Sequence, residues 1–241
     1  MKTILKIWIL PALLAFASAA YASSTIDIGS YSVNTNGTGF VVNTGAGGIS
    51  NTPLVYKGYN SSSPTGPFFG GGPSYDVRPN SDWTGAVPGD TSWVSDIRDG
   101  NENNSDAPNG YYEYTTTFTA TAGSYDGVIT LLADDTAEVL LNGTVIVNFA
   151  APGTDTKCQQ YEPNCTEDDN VDFAASLLSG TDGNTLTIID HQTDKDTPLG
   201  VDFAAALTPT PEPSSLLLLG TGLLGLAFVA FRKAKGPGLT F

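Results

Sequence analysis

Twenty-five carboxylates, one histidine and two cysteines are the groups in this chain that could do chemistry. The stretch Asp99-Gly100-Asn101-Glu102-Asn103 places oxygen ligands at Asp99, Asn101 and Asn103, alternate positions that suit calcium. A helix–loop–helix site is excluded, because Asn104 stands where the sharp-turn glycine belongs and Gly110 where the bidentate acid belongs. Two readings stay open: a looser calcium loop completed by backbone carbonyls, or a solvated turn held by local Asn and Asp bonds. Cys158 and Cys165, in a Pro-, Asn- and Asp-rich stretch, can close a small disulfide loop in an oxidising compartment. With no second cysteine pair and only the distant His191, they do not make a zinc site. A Ser-His-acid or Cys-His site would have to use His191, and no nucleophile-elbow pattern accompanies it. Carboxylate pairs for glycoside hydrolysis can be drawn in too many ways for any one to inform. For sugar stacking the candidates are Trp83, Tyr59 and Tyr75, set among Asn, Asp and Gly; Trp93 begins a strand and reads as core.

The elements that must position these groups read as strands. Tyr112, Tyr114, Thr116, Phe118 and Ala120 share one face at period two, with Glu113, Thr115, Thr117 and Thr119 on the other. Further strands are predicted at Gly127–Leu132, Ala137–Leu141 and Thr144–Phe149, the last two joined by an Asn142-Gly143 hairpin turn. Others are predicted at Ser24–Val33, Gly39–Asn43, Pro53–Lys57, Thr91–Ile97, Thr185–Asp190 and Gly200–Leu207. One short helix is predicted, at Phe173–Leu178, ended by Ser179-Gly180. Gly58–Pro79, Asp99–Gly110 and Ala150–Asn170 read as loops. The expected fold class is all-β.

Both ends of the chain are addresses. Lys2 and Lys6, the apolar Ile7–Phe16 and Ala20-Tyr21-Ala22 form a signal peptide over residues 1–22, cleaved before Ser23. At the other end Pro211-Glu212-Pro213 precedes the uncharged run Leu216–Phe231 and then Arg232, Lys233 and Lys235. A helix over those 16 residues is roughly 24 Å long, a thin transmembrane span that Ser214 and Ser215 lengthen. The cationic flank keeps the tail in the cytoplasm and the body outside. Between the addresses lie five basic and all 25 acidic residues, a net charge of −20 over residues 23–213. Such a surface does not suit nucleic acid, which needs clustered cations.

The ordered tripeptide, span and Arg-Lys end resemble the PEP-CTERM sorting signal, which implies processing by an exosortase. The alternative is a plain single-span anchor with a stiff linker. The body resembles something as well, through Trp93-Val94-Ser95, the Tyr112–Phe118 strand, Ala133-Asp134-Asp135 and Leu140-Leu141-Asn142-Gly143. It is similar in that order to galactose-binding-like jelly-roll β-sandwiches, and Asp172–Leu178, Gly183–Ile188 and Gly200–Phe203 look like the same fold's short helix and closing strands. The domains expected are 1–22 signal peptide, 23–207 sandwich, 208–213 spacer, 214–235 span with basic end and 236–241 cytoplasmic tail. The function expected is a non-enzymatic, exosortase-sorted protein, first tethered in the inner membrane and then at the cell surface or in the extracellular matrix. The rival readings are an exopolysaccharide-binding module and a polysaccharide-active hydrolase.

Overall fold

The computed structural model describes residues 24–33, 49–77, 87, 91–97, 107–149, 169–179, 183–193, 199–210 and 214–234; of 169, 214–219, 233 and 234 it describes the backbone alone. Ser23–Pro209 forms one compact unit. Its strands are β1 (Ile26–Gly29), β2 (Val55–Asn60), β3 (Phe69–Gly72), β4 (Tyr75–Asp76), β5 (Val94–Ser95) and β6 (Gly110–Phe118). They continue with β7 (Gly123–Asp134), β8 (Thr136–Leu141), β9 (Thr144–Val147), β10 (Asp169–Leu177), β11 (Asn184–Gln192) and β12 (Gly200–Pro209). Among the described residues these make two six-stranded sheets whose named strand pairs are all antiparallel. One runs β10-β7-β12-β5-β4 with β1 also on β12, and the other runs β3-β2-β6-β11-β8-β9.

The core follows from the two-residue period. On β6 the inward set is Tyr112, Tyr114, Thr116 and Phe118, all buried, as the sequence predicts. The neighbouring β11 adds Ile188, and the other sheet supplies Ile129 and Leu131 from β7 and Phe203 from β12. A smaller cluster of Val77, Val87, Trp93 and Leu132 lies apart from this core, so Trp93 is indeed a packing residue. The Asn142-Gly143 turn also stands where predicted, with φ of 51° and 78° at its two residues. Both values lie in the left-handed region that a two-residue hairpin of this hand requires.

Two expectations are corrected. Phe173 to Leu177 is strand, the second half of β10, and not helix. Its Ala and Leu favour helix, but the alternation decides: Val171, Phe173, Ala175 and Leu177 turn to one side, Asp172, Ala174 and Ser176 to solvent. The stretch Gly58–Pro79 is not all loop either, since it holds the end of β2, β3 and β4. Its glycines hid the strands: at Gly71 a Cβ would stand 2.4 Å from the Lys57 carbonyl oxygen, so β3 can pair with β2 only without a side chain there. The predicted strand Gly39–Asn43 lies outside the described residues.

Beyond the sandwich, α1 spans Ser214–Ala234, 21 residues and about 31 Å. Leu223, Leu224, Leu226, Phe228, Val229 and Phe231 are all exposed on it. The Arg232 guanidinium sits 5.4 Å from the Phe228 ring centroid, one turn back. Among the described residues no helix is long and apolar enough to cross a membrane; the side chains of Leu216–Leu219 are not among those described.

The β10–β7 pair offers a direct check of the corrected strand. Phe173 lies opposite Gly127, and a Cβ on Gly127 would stand 2.3 Å from its ring. Gly127→Ala is expected to destabilise by about 1–3 kcal/mol through displacement of that ring. Adding Phe173→Ala should cancel most of the penalty, so a urea double-mutant cycle should show strong coupling.

Candidate functional site

The chemistry gathers where β6 begins and β11 ends. Asp190 is the third inward position of β11 after Leu186 and Ile188, so the pleat that buries those two buries the carboxyl as well. Tyr112 of β6 and Ala137 of β8 are its register partners on either side. Asp134 ends β7, Asp135 occupies the corner before β8, and Asp96 follows β5. All three repel a negative charge on Asp190.

These acids differ in how they are satisfied. The Asp135 Oδ2 accepts bonds from the Thr193 N–H at 2.8 Å and the Thr193 hydroxyl at 2.6 Å. Asp96 accepts a long 3.4 Å bond from the Tyr114 hydroxyl, and that hydroxyl in turn accepts the Asp96 N–H at 3.0 Å. The Tyr112 hydroxyl donates to the Pro108 carbonyl at 2.7 Å. Both nearby phenols are therefore committed elsewhere, and both Asp190 oxygens are buried without a hydrogen-bond partner. Burial pushes the Asp190 carboxyl well above the usual carboxylate range, and Asp134, Asp135 and Asp96 push the same way. Burial raises Asp96 to about 6.

On the outward side of the same strand ends stands an aromatic group. The His191 ring stacks on Tyr111 with centroids 4.1 Å apart and planes 11° apart, and Phe149 meets both rings edge-on at 5.8 Å. All three are partly exposed. Burial lowers the His191 pKa, while Asp135 opposes the change, so the imidazole is neutral at pH 7.

A second set of buried acids sits elsewhere and is better supplied with donors, although the Asp76 Oδ2 is buried without a partner. Asp202 accepts from the Ser30 hydroxyl and from the Val87 N–H, each at 2.7 Å. Asp76 accepts from the Ser32 N–H at 2.6 Å and the Ser92 hydroxyl at 2.7 Å. Burial nonetheless lifts Asp76 to about 6, with those two donors pulling down. These bonds tie β1, β4 and β12 to the segments around Val87 and Ser92 and read as scaffold.

Of the sugar-stacking candidates, Tyr59 and Tyr75 stand in different sheets. Tyr59 is on β2, tilted against Tyr112 at 5.0 Å and bonded to the Asn109 carbonyl. Tyr75 is on β4 in the other sheet, packed on the Trp93 cluster. Trp83, the calcium candidates Asp99, Asn101 and Asn103, and the pair Cys158 and Cys165 lie outside the described residues, as do Ala20, Ala22, Pro211, Glu212 and Pro213. Arg232 lies on α1, as does the backbone of Lys233. Among the described residues no group of three acids, histidines or cysteines is placed to hold a metal ion. Asp190 and Tyr111 escaped the sequence reading, although strand alternation through Leu186 and Ile188 would have placed Asp190 inside.

The raised carboxyl of Asp96 has a signed consequence. Its folded value of about 6 exceeds an unfolded one of about 3.9, so the folded state holds the proton more tightly. The associated stability is complete below the unfolded value and is lost as pH climbs to about 6. Thermal midpoints measured from pH 4 to pH 6.5 should fall less steeply in Asp96→Asn than in the parent.

Solved structures of low identity are similar in outline. A β-glucosidase from Kluyveromyces marxianus, in complex with glucose, is 13% identical at a TM-score of 0.32; the match covers 71% of this chain and 17% of that one. A family 35 carbohydrate-binding module from Clostridium thermocellum is 14% identical at 0.30, over 66% of this chain and 98% of the module. A CBM35 from Paenibacillus barcinonensis is 14% identical at 0.29, over 66% and 100%. Likenesses this distant carry no argument about the site. A search of curated proteins finds no match. Residues 209–233 match the PEP-CTERM protein-sorting motif, so the chain ends in the signal that its Pro-Glu-Pro, apolar run and basic end spell out.

Proposed function

We propose that this is an exported, exosortase-sorted, non-enzymatic protein whose jelly-roll sandwich, of the galactose-binding-like kind, works at the cell surface or in the extracellular matrix. The observation that carries the proposal is the sorting motif over residues 209–233, with α1 starting a few residues after β12 ends at Pro209. Export through the signal peptide ending at Ala22 and a membrane-held precursor are part of it. The span is α1, whose exposed apolar side chains suit a lipid solvent and not water; Leu216–Leu219 extend its uncharged run. The non-enzymatic reading rests on access. Among the described residues Asp134, Asp135 and Asp190 are at most 4% exposed, and carboxyls so enclosed do not meet a polymer substrate. The partly exposed His191 is engaged in ring contacts with Tyr111 and Phe149.

In a host with an exosortase, most mature molecules should start at Ser23 and lack the Leu216–Phe231 peptides in mass spectra of surface material. Replacing Pro211 and Pro213 by alanine should leave the uncleaved precursor in the membrane. Abundant intact tail peptides in surface material would overturn the sorting proposal.

A second reading, binding of extracellular polysaccharide, is favoured by the partly exposed Tyr111, His191 and Phe149 beside Asp135 and Thr193. Aromatic rings with hydrogen-bonding neighbours are what sugar rings stack on. If it holds, affinity electrophoresis against extracellular polysaccharides should retard the protein, and Tyr111→Ala should weaken binding roughly fivefold. Equal mobility in every polysaccharide would remove this reading and leave the first untouched.

A further inference from the structure

We infer that Asp190 is a proton-held clasp: while it carries a proton the β6–β11–β8 end of the sandwich stays closed, and its ionisation loosens that end. The inference stands on placement. Asp190 is fully enclosed, and neither of its oxygens receives a hydrogen bond from another side chain or strand. A buried carboxylate with so little donor support is far less stable than the neutral acid. The neighbours close off the usual remedies. From β7 and its corner come Asp134 and Asp135, and from the end of β5 comes Asp96, all three acidic. From β6 come Tyr112 and Tyr114, whose hydroxyls are committed to Pro108 and Asp96. β8 opposes it with Ala137. Among the described residues no cation acts on the Asp190 carboxyl; only the His191 N–H favours its charge.

The sign follows from linkage. Asp190 in the unfolded chain releases its proton near the usual carboxylate value, whereas the folded chain keeps it to much higher pH. Between those limits the unfolding constant rises by up to about tenfold per pH unit, and above the folded value the loss is complete. Comparison with a variant that cannot ionise at position 190 isolates this group. Burial lifts Asp76 and Asp96 to about 6 and lowers His191, and those groups are common to both proteins.

The test measures urea unfolding of the exported protein, as isolated, at pH 7, 8 and 9, for the parent and for Asp190→Asn. The amide matches the neutral acid in size and cannot ionise. The parent should lose stability with each step, and its Asp190, His191 and Gln192 amides should exchange faster, whereas the variant should show neither trend. A flat parent, or equal slopes in both proteins, overturns the inference. So does a parent stabilised by calcium beyond magnesium or sodium at matched ionic strength, since the carboxyl would then hold a cation and not a proton. If the variant fails to fold, the parent alone decides by its infrared carbonyl band. A protonated carboxyl persisting at pH 7 and disappearing as pH rises is expected; its absence at pH 7 refutes the clasp.

Discussion

The period of the pleat is the constraint from which the rest of this sandwich follows. Leu186 and Ile188 must face inward for β11 to occupy the middle of its sheet, and a strand repeats every two residues. Asp190 then has no choice of side. A one-residue slip would turn Thr185 and Thr187 inward and Leu186 and Ile188 away from the core. The same rule on β6 aligns Tyr112 and Tyr114 with the core, where their rings meet Tyr56 of β2 at centroid distances of 6.4 and 5.5 Å. The polar end of the core is thus a direct consequence of its apolar middle.

The two groups of buried acids show how differently one fold handles the same problem. Asp202 and Asp76 stand among serines and backbone N–H groups, and each collects two donors. Their bonds join segments far apart in sequence, which is why Ser30, Ser32 and Ser92 are buried despite being small polar residues. Asp190 has tyrosines and acids for neighbours instead. Donors let Asp202 and Asp76 fasten strands together, even though burial lifts Asp76 and leaves its Oδ2 unpartnered; with fewer donors, burial and acidic neighbours push Asp190 toward its neutral form.

Much of the fold was legible because its strands alternate cleanly or carry turn chemistry. β6, β8 and β11 appear within a residue or two of their predicted bounds, and the Asn142-Gly143 turn needs positive φ at both positions. β10 was misread because Ala174, Ala175 and Leu177 are good helix formers, and propensity was weighed above a period of two that Val171 and Phe173 complete. β3 escaped because three of its four residues are glycine, which gives no pattern to read. The site was less legible still. Sequence separates Asp96, Asp134 and Asp190 widely, and only the packing of one sheet, which carries β5 and β7, on the other, which carries β11, brings them together.

The division between sandwich and tail has its own logic. β12 carries the pairing of β7, β5 and β1, and all of those contacts are made between Gly200 and Pro209. Among the described residues every named strand is therefore complete before the sorting tripeptide begins at Pro211, and a processing step beyond that point removes none of them. The tail also takes with it Arg232, Lys233 and Lys235, three of the ten basic residues, and leaves the acidic body behind. A body so charged resists self-association through mutual repulsion. A sandwich that finishes its described strands before its sorting signal, and carries its acidic charge on its own side of that signal, can lose the tail without losing a strand.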